Sequence, residues 1–119
     1  MSKNTIIVDG VEYVKKGSEL AEKVEGMQYV CIRTYSAGVH LGYLKSQKGT
    51  EVELVQSRRV HYWDGAASLS QLALEGTKNP KNSRVSVEIP YIKLTEAIEI
   101  INVTKEAKDN IDSIEPWKV

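Results

Sequence analysis

The sequence predicts an α+β fold, a mainly antiparallel sheet with two or three short helices in a single domain, and three observations predict it. The length of 119 residues suits one domain with its own hydrophobic core, so residues 1–119 are read as a single unit. Short runs of β-branched and aromatic residues alternate with Asp-Gly, Ala-Gly and Lys-Gly pairs, the pattern of strands joined by tight turns. Between and after these runs, a few segments place a capping side chain ahead of apolar residues at helical spacing.

Thr5 to Val8 and Val11 to Val14 flank Asp9-Gly10, a pair that favours the type I′ turn of a hairpin. Ser18 is an N-cap candidate for a short helix through Val24, with Glu19 and Glu22 near its positive end and Gly26 past its last turn. Met27 to Tyr35, Val39 to Ser46 and Glu51 to Trp63 read as a three-stranded meander at the centre of the fold, turned at Ser36-Ala37-Gly38 and Gln47-Lys48-Gly49. Asp64 is the expected cap of a helix over Gly65 to Glu75, with Leu69, Leu72 and Ala73 as its apolar stripe and Gly76 as its stop. After a polar loop from Thr77 to Ser83, Arg84 to Pro90 is expected as a strand with Val85, Val87 and Ile89 inward, interrupted or placed at an edge by Pro90. Tyr91 to Asn102 mixes helix formers with β-branched residues and is read as strand. Thr104 caps a last helix from Lys105 to about Ile111, and Pro116 to Val119 form a tail that docks the Trp117 indole on the body.

Lysine and arginine together balance aspartate and glutamate, 16 of each. No long-range field therefore draws the chain to duplex nucleic acid, and any anion site has to be local. No stretch approaches the ~18–20 apolar residues of a membrane span, and no leader pattern opens the chain. The single cysteine, Cys31, sits in an apolar run and is expected as a small core residue, so a soluble protein of a reducing compartment is expected. Phenylalanine is absent, and six tyrosines and two tryptophans supply rings with polar handles, which favour binding surfaces.

The densest chemistry runs from Arg58-Arg59 through Trp63 to Asp64-Gly65-Ala66-Ala67-Ser68. Guanidinium forks pair with phosphate, rings stack on bases, and a helix start with little side-chain bulk offers N–H groups to anions. Alternation places Arg59, His61 and Trp63 on one side of the strand and Arg58, Val60 and Tyr62 on the other, and leaves open which side is inward. Arg33-Thr34-Tyr35-Ser36 through His40 adds a cation at the end of an apolar strand, followed by hydroxyls and an accessible backbone. The candidate ligand-binding residues are therefore Arg33, Thr34, Tyr35, Ser36, His40, Arg58, Arg59, Trp63, Asp64, Gly65, Ala66, Ser68 and Tyr91. Arginines and the helix start would hold phosphate, Trp63, Tyr35 or Tyr91 would stack on a base, and Asp64 would cap the helix or accept from a ribose. His40 and His61 with Ser36 or Ser68 and Asp64 hold the ingredients of a triad or a metal site. No nucleophile elbow, His-x-x-x-His pair, P-loop or Gly-x-Gly-x-x-Gly accompanies them, so no catalytic residue, metal or cofactor is expected.

The segments Tyr29 to Gly42, Arg58 to Leu72 and Leu94 to Ile101, and above all RTYSAGVH and WDGAASLSQLA, resemble the first Thoeris anti-defence family, over most of the chain from about Ile6 to Trp117. Those phage proteins sequester the cyclic ADP-ribose-type signal made by bacterial TIR enzymes. The resemblance implies a sponge working in the cytoplasm of an infected bacterial host, a homo-oligomer from dimer to hexamer with pockets near subunit interfaces. It implies that cyclic di- or trinucleotides are held at separate sites in some members. Two other readings stay open: an inhibitor that contacts a bacterial defence protein directly, and a cyclic-nucleotide hydrolase.

Overall fold

The computed structural model describes residues 5–8, 11–14 and 19–119. Two strands, β1 (Thr5–Val8) and β2 (Val11–Val14), pair antiparallel with Val8 opposite Val11, as the hairpin reading requires. The Asp9-Gly10 turn and the Ser18 cap lie outside the described residues.

A six-stranded antiparallel sheet forms the body, with β3 (Tyr29–Thr34), β4 (Val39–Lys48) and β5 (Glu51–Tyr62) as the expected meander. β8 (Ala97–Asn102) pairs with β3, while the far side of β5 is shared by β6 (Arg84–Val85) and β7 (Ile89–Leu94). Thr95 and Glu96 alone separate β7 from β8, although the two strands lie on opposite sides of the meander. The sheet must therefore curl until its edges meet at that corner, where Ala97 N–H donates to Thr50 O at 3.0 Å and Thr50 Oγ1 to Thr95 O at 3.1 Å. Val30, Ile32, Val52, Leu54, Leu94 and Ala97 fill the concave face so formed.

The other face carries the larger core. Tyr29, Cys31, Leu41, Tyr43 and Val60 meet Leu72 and Ala73 of α1 (Leu69–Glu75) and Ala107 and Ile111 of α2 (Lys105–Asp112). Burial pushes the Cys31 thiol up to about 12, so this cysteine is a packing residue. Thr104 caps α2 as expected, its Oγ1 accepting from Ala107 N–H at 3.1 Å and donating to Leu74 O at 2.5 Å.

Three elements differ from the sequence reading. Residues 19–24 are extended, because Ala21 N–H goes to Val103 O and Lys105 N–H to Glu19 O, which ties the segment to the chain before α2. Gly26 is then half of a tight Glu25-Gly26 turn, both residues at positive φ, between Val24 and Met27, the geometry of type I′. α1 begins at Leu69, not Gly65, and its cap is Ser68. Ser68 Oγ accepts from Gln71 N–H at 3.1 Å, and Gln71 Oε1 reaches back to Ala67 N–H at 2.7 Å, a capping box in all but one position. Finally, the expected strand from Arg84 to Pro90 breaks after Val85, so Val85 is buried while Val87 and Ile89 are exposed. Pro90 sits inside β7 between Ile89 and Tyr91, which pair with Ser57 and Val55, on a strand that among the described residues pairs with β5 alone, an edge position that tolerates proline.

β5, continuous from Glu51 to Tyr62, is irregular at one point. Gln56 adopts a φ of 51°, and the β4 register shifts between Leu41 and Tyr43, so β5 carries an extra residue there, a β-bulge. The bulge reverses which side chains face which way: Val52 and Leu54 point to the concave face before it, whereas Arg58 and Val60 point to the helices after it.

Candidate functional site

Arg33, one residue before the end of β3, follows Tyr29 and Cys31 on the helix-facing side, and the Tyr35-Ser36-Ala37-Gly38 turn carries the chain into β4. Thr34 holds that turn at both ends, its Oγ1 donating to Gly38 O and accepting from Ala37 N–H, each at 2.8 Å. Gly38 takes a φ of 84°, a conformation that glycine alone adopts without strain. Tyr35 is left 78% exposed, and Ser36 Oγ donates to Glu96 Oε1 at 2.7 Å. Across the mouth, β5 ends at Tyr62, and Trp63 turns towards α1.

These residues converge on one open hollow of about 410 Å³, lined by Arg33, Thr34, Tyr35, Ser36, Gly38, Val39, Trp63 and Leu69. Its size falls in the range of about 300–1,000 Å³ usual for small-molecule sites. Arg33 uses only Nη1, in an exposed pair with Glu99 directly across the strand at 2.9 Å, so the rest of its fork faces solvent. One cation, two hydroxyls and two rings thus share a groove. Gly38, Val39 and Leu69 were not singled out in the sequence, since none carries chemistry of its own.

The other candidates lie elsewhere. Arg58 is 7% exposed and belongs to the fold: Nη1 donates to Ile111 O and Nη2 to Ile114 O, both at 2.9 Å, and Nε donates to Ser86 O at 2.8 Å. It closes the C-terminal end of α2, where carbonyls lack helical partners, and cannot serve as a phosphate anchor. Arg59 leaves on the opposite face, so the three arginines do not meet in one cavity of the chain. Asp64 accepts from the Nδ2 groups of Asn82 at 2.7 Å and Asn79 at 3.3 Å, and its carbonyl accepts from Thr77. It pins the 77–83 loop in place of capping a helix. Gly65, at a φ of 100°, lies so close to Lys78 and Asn79 that a Cβ would come within 2.7 Å of their backbone nitrogens. Ala66 packs against the helix-side core, and Ser68 is occupied as the cap. The Ala67 and Gln71 N–H groups are thus taken by side chains of the same segment, and Gly65 and Ala66 lie ahead of the helix rather than in its first turn. Tyr91 is remote from the groove on β7, donating to Glu53 Oε1 at 2.6 Å beneath Lys45.

His40 is buried on the concave side, its Nε2 held by Ala37 O at 2.9 Å. Burial lowers its pKa, helped by the nearby charges of Arg59 and His61. His40, Ser57, Arg59, His61, Ser86, Val87, Ile89 and Ile92 line a second hollow of about 230 Å³. It lies on the opposite face of the sheet from the groove, since Val39 and His40 are adjacent on β4. Sequence reasoning did not reach Ser57, because the Gln56 bulge that aims it inward leaves no mark in an alternating pattern. Ser36 and Ser68 bond to Glu96 and to Gln71 N–H, and neither pairs with a histidine. Among the described residues, no group of three or more potential metal ligands comes together and no helix is long and apolar enough to cross a membrane.

Residues 27–111 match the model of a family described as a domain of unknown function, DUF6948. The matched span runs from the strand-edge turn before β3 to the last turn of α2, and so contains both hollows. No curated protein matches the chain, and neither does any solved structure.

Proposed function

Since the chain belongs to the DUF6948 family, whose description assigns no activity, we propose from its groove that it binds a phosphate-bearing, base-containing signal and holds it unaltered. One observation carries this reading: Arg33, Thr34, Tyr35, Ser36 and Trp63 border a single open hollow. Arg33 pairs with a phosphate, Tyr35 or Trp63 stacks on the base, and Ser36 Oγ, whose own proton goes to Glu96, accepts from a ribose hydroxyl. The resemblance to the Thoeris anti-defence family names the ligand class, a cyclic ADP-ribose-type signal, and the setting, the cytoplasm of a phage-infected bacterium.

Magnitudes shape the rest of the proposal. Nanomolar capture requires about −12 kcal/mol, whereas one charge-assisted bond, two stacked rings and a hydroxyl give about 4–10 kcal/mol before ordering costs. A single groove falls short, so a second copy of the chain has to complete it. That is the reason, beyond resemblance, for proposing a homo-oligomer.

The protein incubated with cyclic ADP-ribose, filtered, then heat-denatured tests the reading directly. Sequestration predicts that the ligand disappears from the filtrate and returns intact after heating. Degraded ligand would indicate a hydrolase. Ligand left in the filtrate throughout would favour the second reading, direct capture of a defence protein through the exposed Tyr35, Tyr62 and Trp117 rings.

A further inference from the structure

We propose that the hollow on the concave side of the sheet is a second, independent site that binds a small organic anion, a carboxylate or phosphomonoester with an apolar body. Ser57 and Arg59 take the charged head, and Val87, Ile89 and Ile92 receive the rest.

Ser57 is 1% exposed, and its Oγ is the one buried side-chain polar atom among the described residues without a hydrogen-bond partner. Native folds leave few such atoms, and each calls for a bound group. This one lies in the wall of a hollow. Beside it, the Arg59 side chain makes no ion pair or hydrogen bond among the described residues, unlike Arg33 and Arg58. Arg59 is held in place through its backbone, its N–H donating to Ser86 Oγ at 2.8 Å while Ser86 N–H donates to Arg59 O at 2.8 Å. No aspartate or glutamate lines the hollow, so nothing there opposes a negative charge. His40 is kept neutral by burial, and His61 stands against Trp117 with ring centroids 5.1 Å apart. Arg59 supplies the permanent positive charge of the hollow.

The other wall is apolar. Val87 and Ile89 are exposed and Ile92 is half-buried. About 230 Å³ lies below the range of drug-sized pockets, so the occupant is a small molecule and not a dinucleotide. The break after Val85 thus has a use, because it leaves Val87 between β6 and β7, out of the ladder and in this wall beside Ile89, the first residue of β7.

Phenyl phosphate and benzoate are the probes, titrated by calorimetry and by the imidazole NMR resonances of His61. At least one should bind and shift His61, and inorganic phosphate, lacking the apolar body, should bind more weakly. Preference between the two decides whether the natural head is a phosphoester or a carboxylate. Ser57→Ala and Arg59→Gln should each weaken binding about tenfold or more, while Arg33→Ala, a change in the groove, should leave it as it is. Ser57→Ala removes a hydroxyl that no other residue pairs with, so its thermal midpoint should stay level or rise. Failure of both probes to bind, binding unaltered in the two variants, or a lowered midpoint in Ser57→Ala would each overturn the proposal and leave the groove's function untouched.

Discussion

Arg58 and Arg59 are neighbours in sequence with opposite duties, and the difference decides what their substitution does. Arg58 donates to carbonyls of Ser86, Ile111 and Ile114 from within the core. Arg58→Ala should therefore cost about 3–5 kcal/mol in urea unfolding, because it leaves several buried carbonyls unmet. Arg58→Lys should recover little, since an ammonium cannot span the carbonyls as a planar fork does. His40 gives a second effect at this scale. Its folded pKa lies below 6.5, so at low pH the unfolded chain takes up a proton that the folded chain refuses. The stability it contributes is complete above pH 6.5 and declines as pH falls towards the folded value, by up to about 1.4 kcal/mol per pH unit. Urea midpoints at pH 5 and pH 7 should differ in the native protein and converge in His40→Gln. The sequence showed the two arginines parting, because alternation alone separates them. It left open which went inward, because that depends on Gln56, a residue with no turn signature that takes a φ of 51°.

The Gln56 bulge governs β5 as an element. It turns one strand into two half-strands of opposite facing, and it packs tightly against Gly42. A Cβ on Gly42 would meet Val55 O at 3.1 Å and Ser57 Cα at 3.2 Å, both backbone atoms, so the bulge would have to shift by a few tenths of an ångström to admit it. Gly42→Ala should cost about 1–3 kcal/mol, and should broaden the His61 resonance, because the misplaced bulge shifts everything after it. A thermal melt with one-dimensional NMR checks both. The central strands and α2 were legible because their period and Thr104 cap agree. The start of α1 was misread for a definite reason: Asp64 and Ser68 are both good caps, and contacts distant in sequence, to Asn79 and Asn82, draw Asp64 away. The Ser68-x-x-Gln71 pattern was the readable signal. For Glu19 to Val24 there was none, since Val103 and the Lys105 N–H lie eighty residues off and set the conformation.

At the scale of the whole molecule, the curl of the sheet brings Thr34, Tyr35 and Glu96 to one corner, where Tyr35 N–H donates to Glu96 O at 2.9 Å. The groove therefore opens beside β8. Among the described residues β8 pairs on one side only, and Ile98 on it is 51% exposed. An apolar edge strand next to an incomplete site is where a second copy would add its contacts, by extending the sheet or covering the groove's rim. Ile98→Lys places a charge on that edge without touching the groove. It should shift the protein to monomer in sedimentation, and weaken cyclic ADP-ribose capture about tenfold or more, because the lone groove cannot reach nanomolar affinity. Arg33→Ala should cost a similar 1.5–3 kcal/mol of binding, yet leave the assembly whole. A variant that is monomeric and still binds as tightly as the native protein would remove the partner from the site, and would require Arg33, Tyr35 and Trp63 to supply all the affinity themselves.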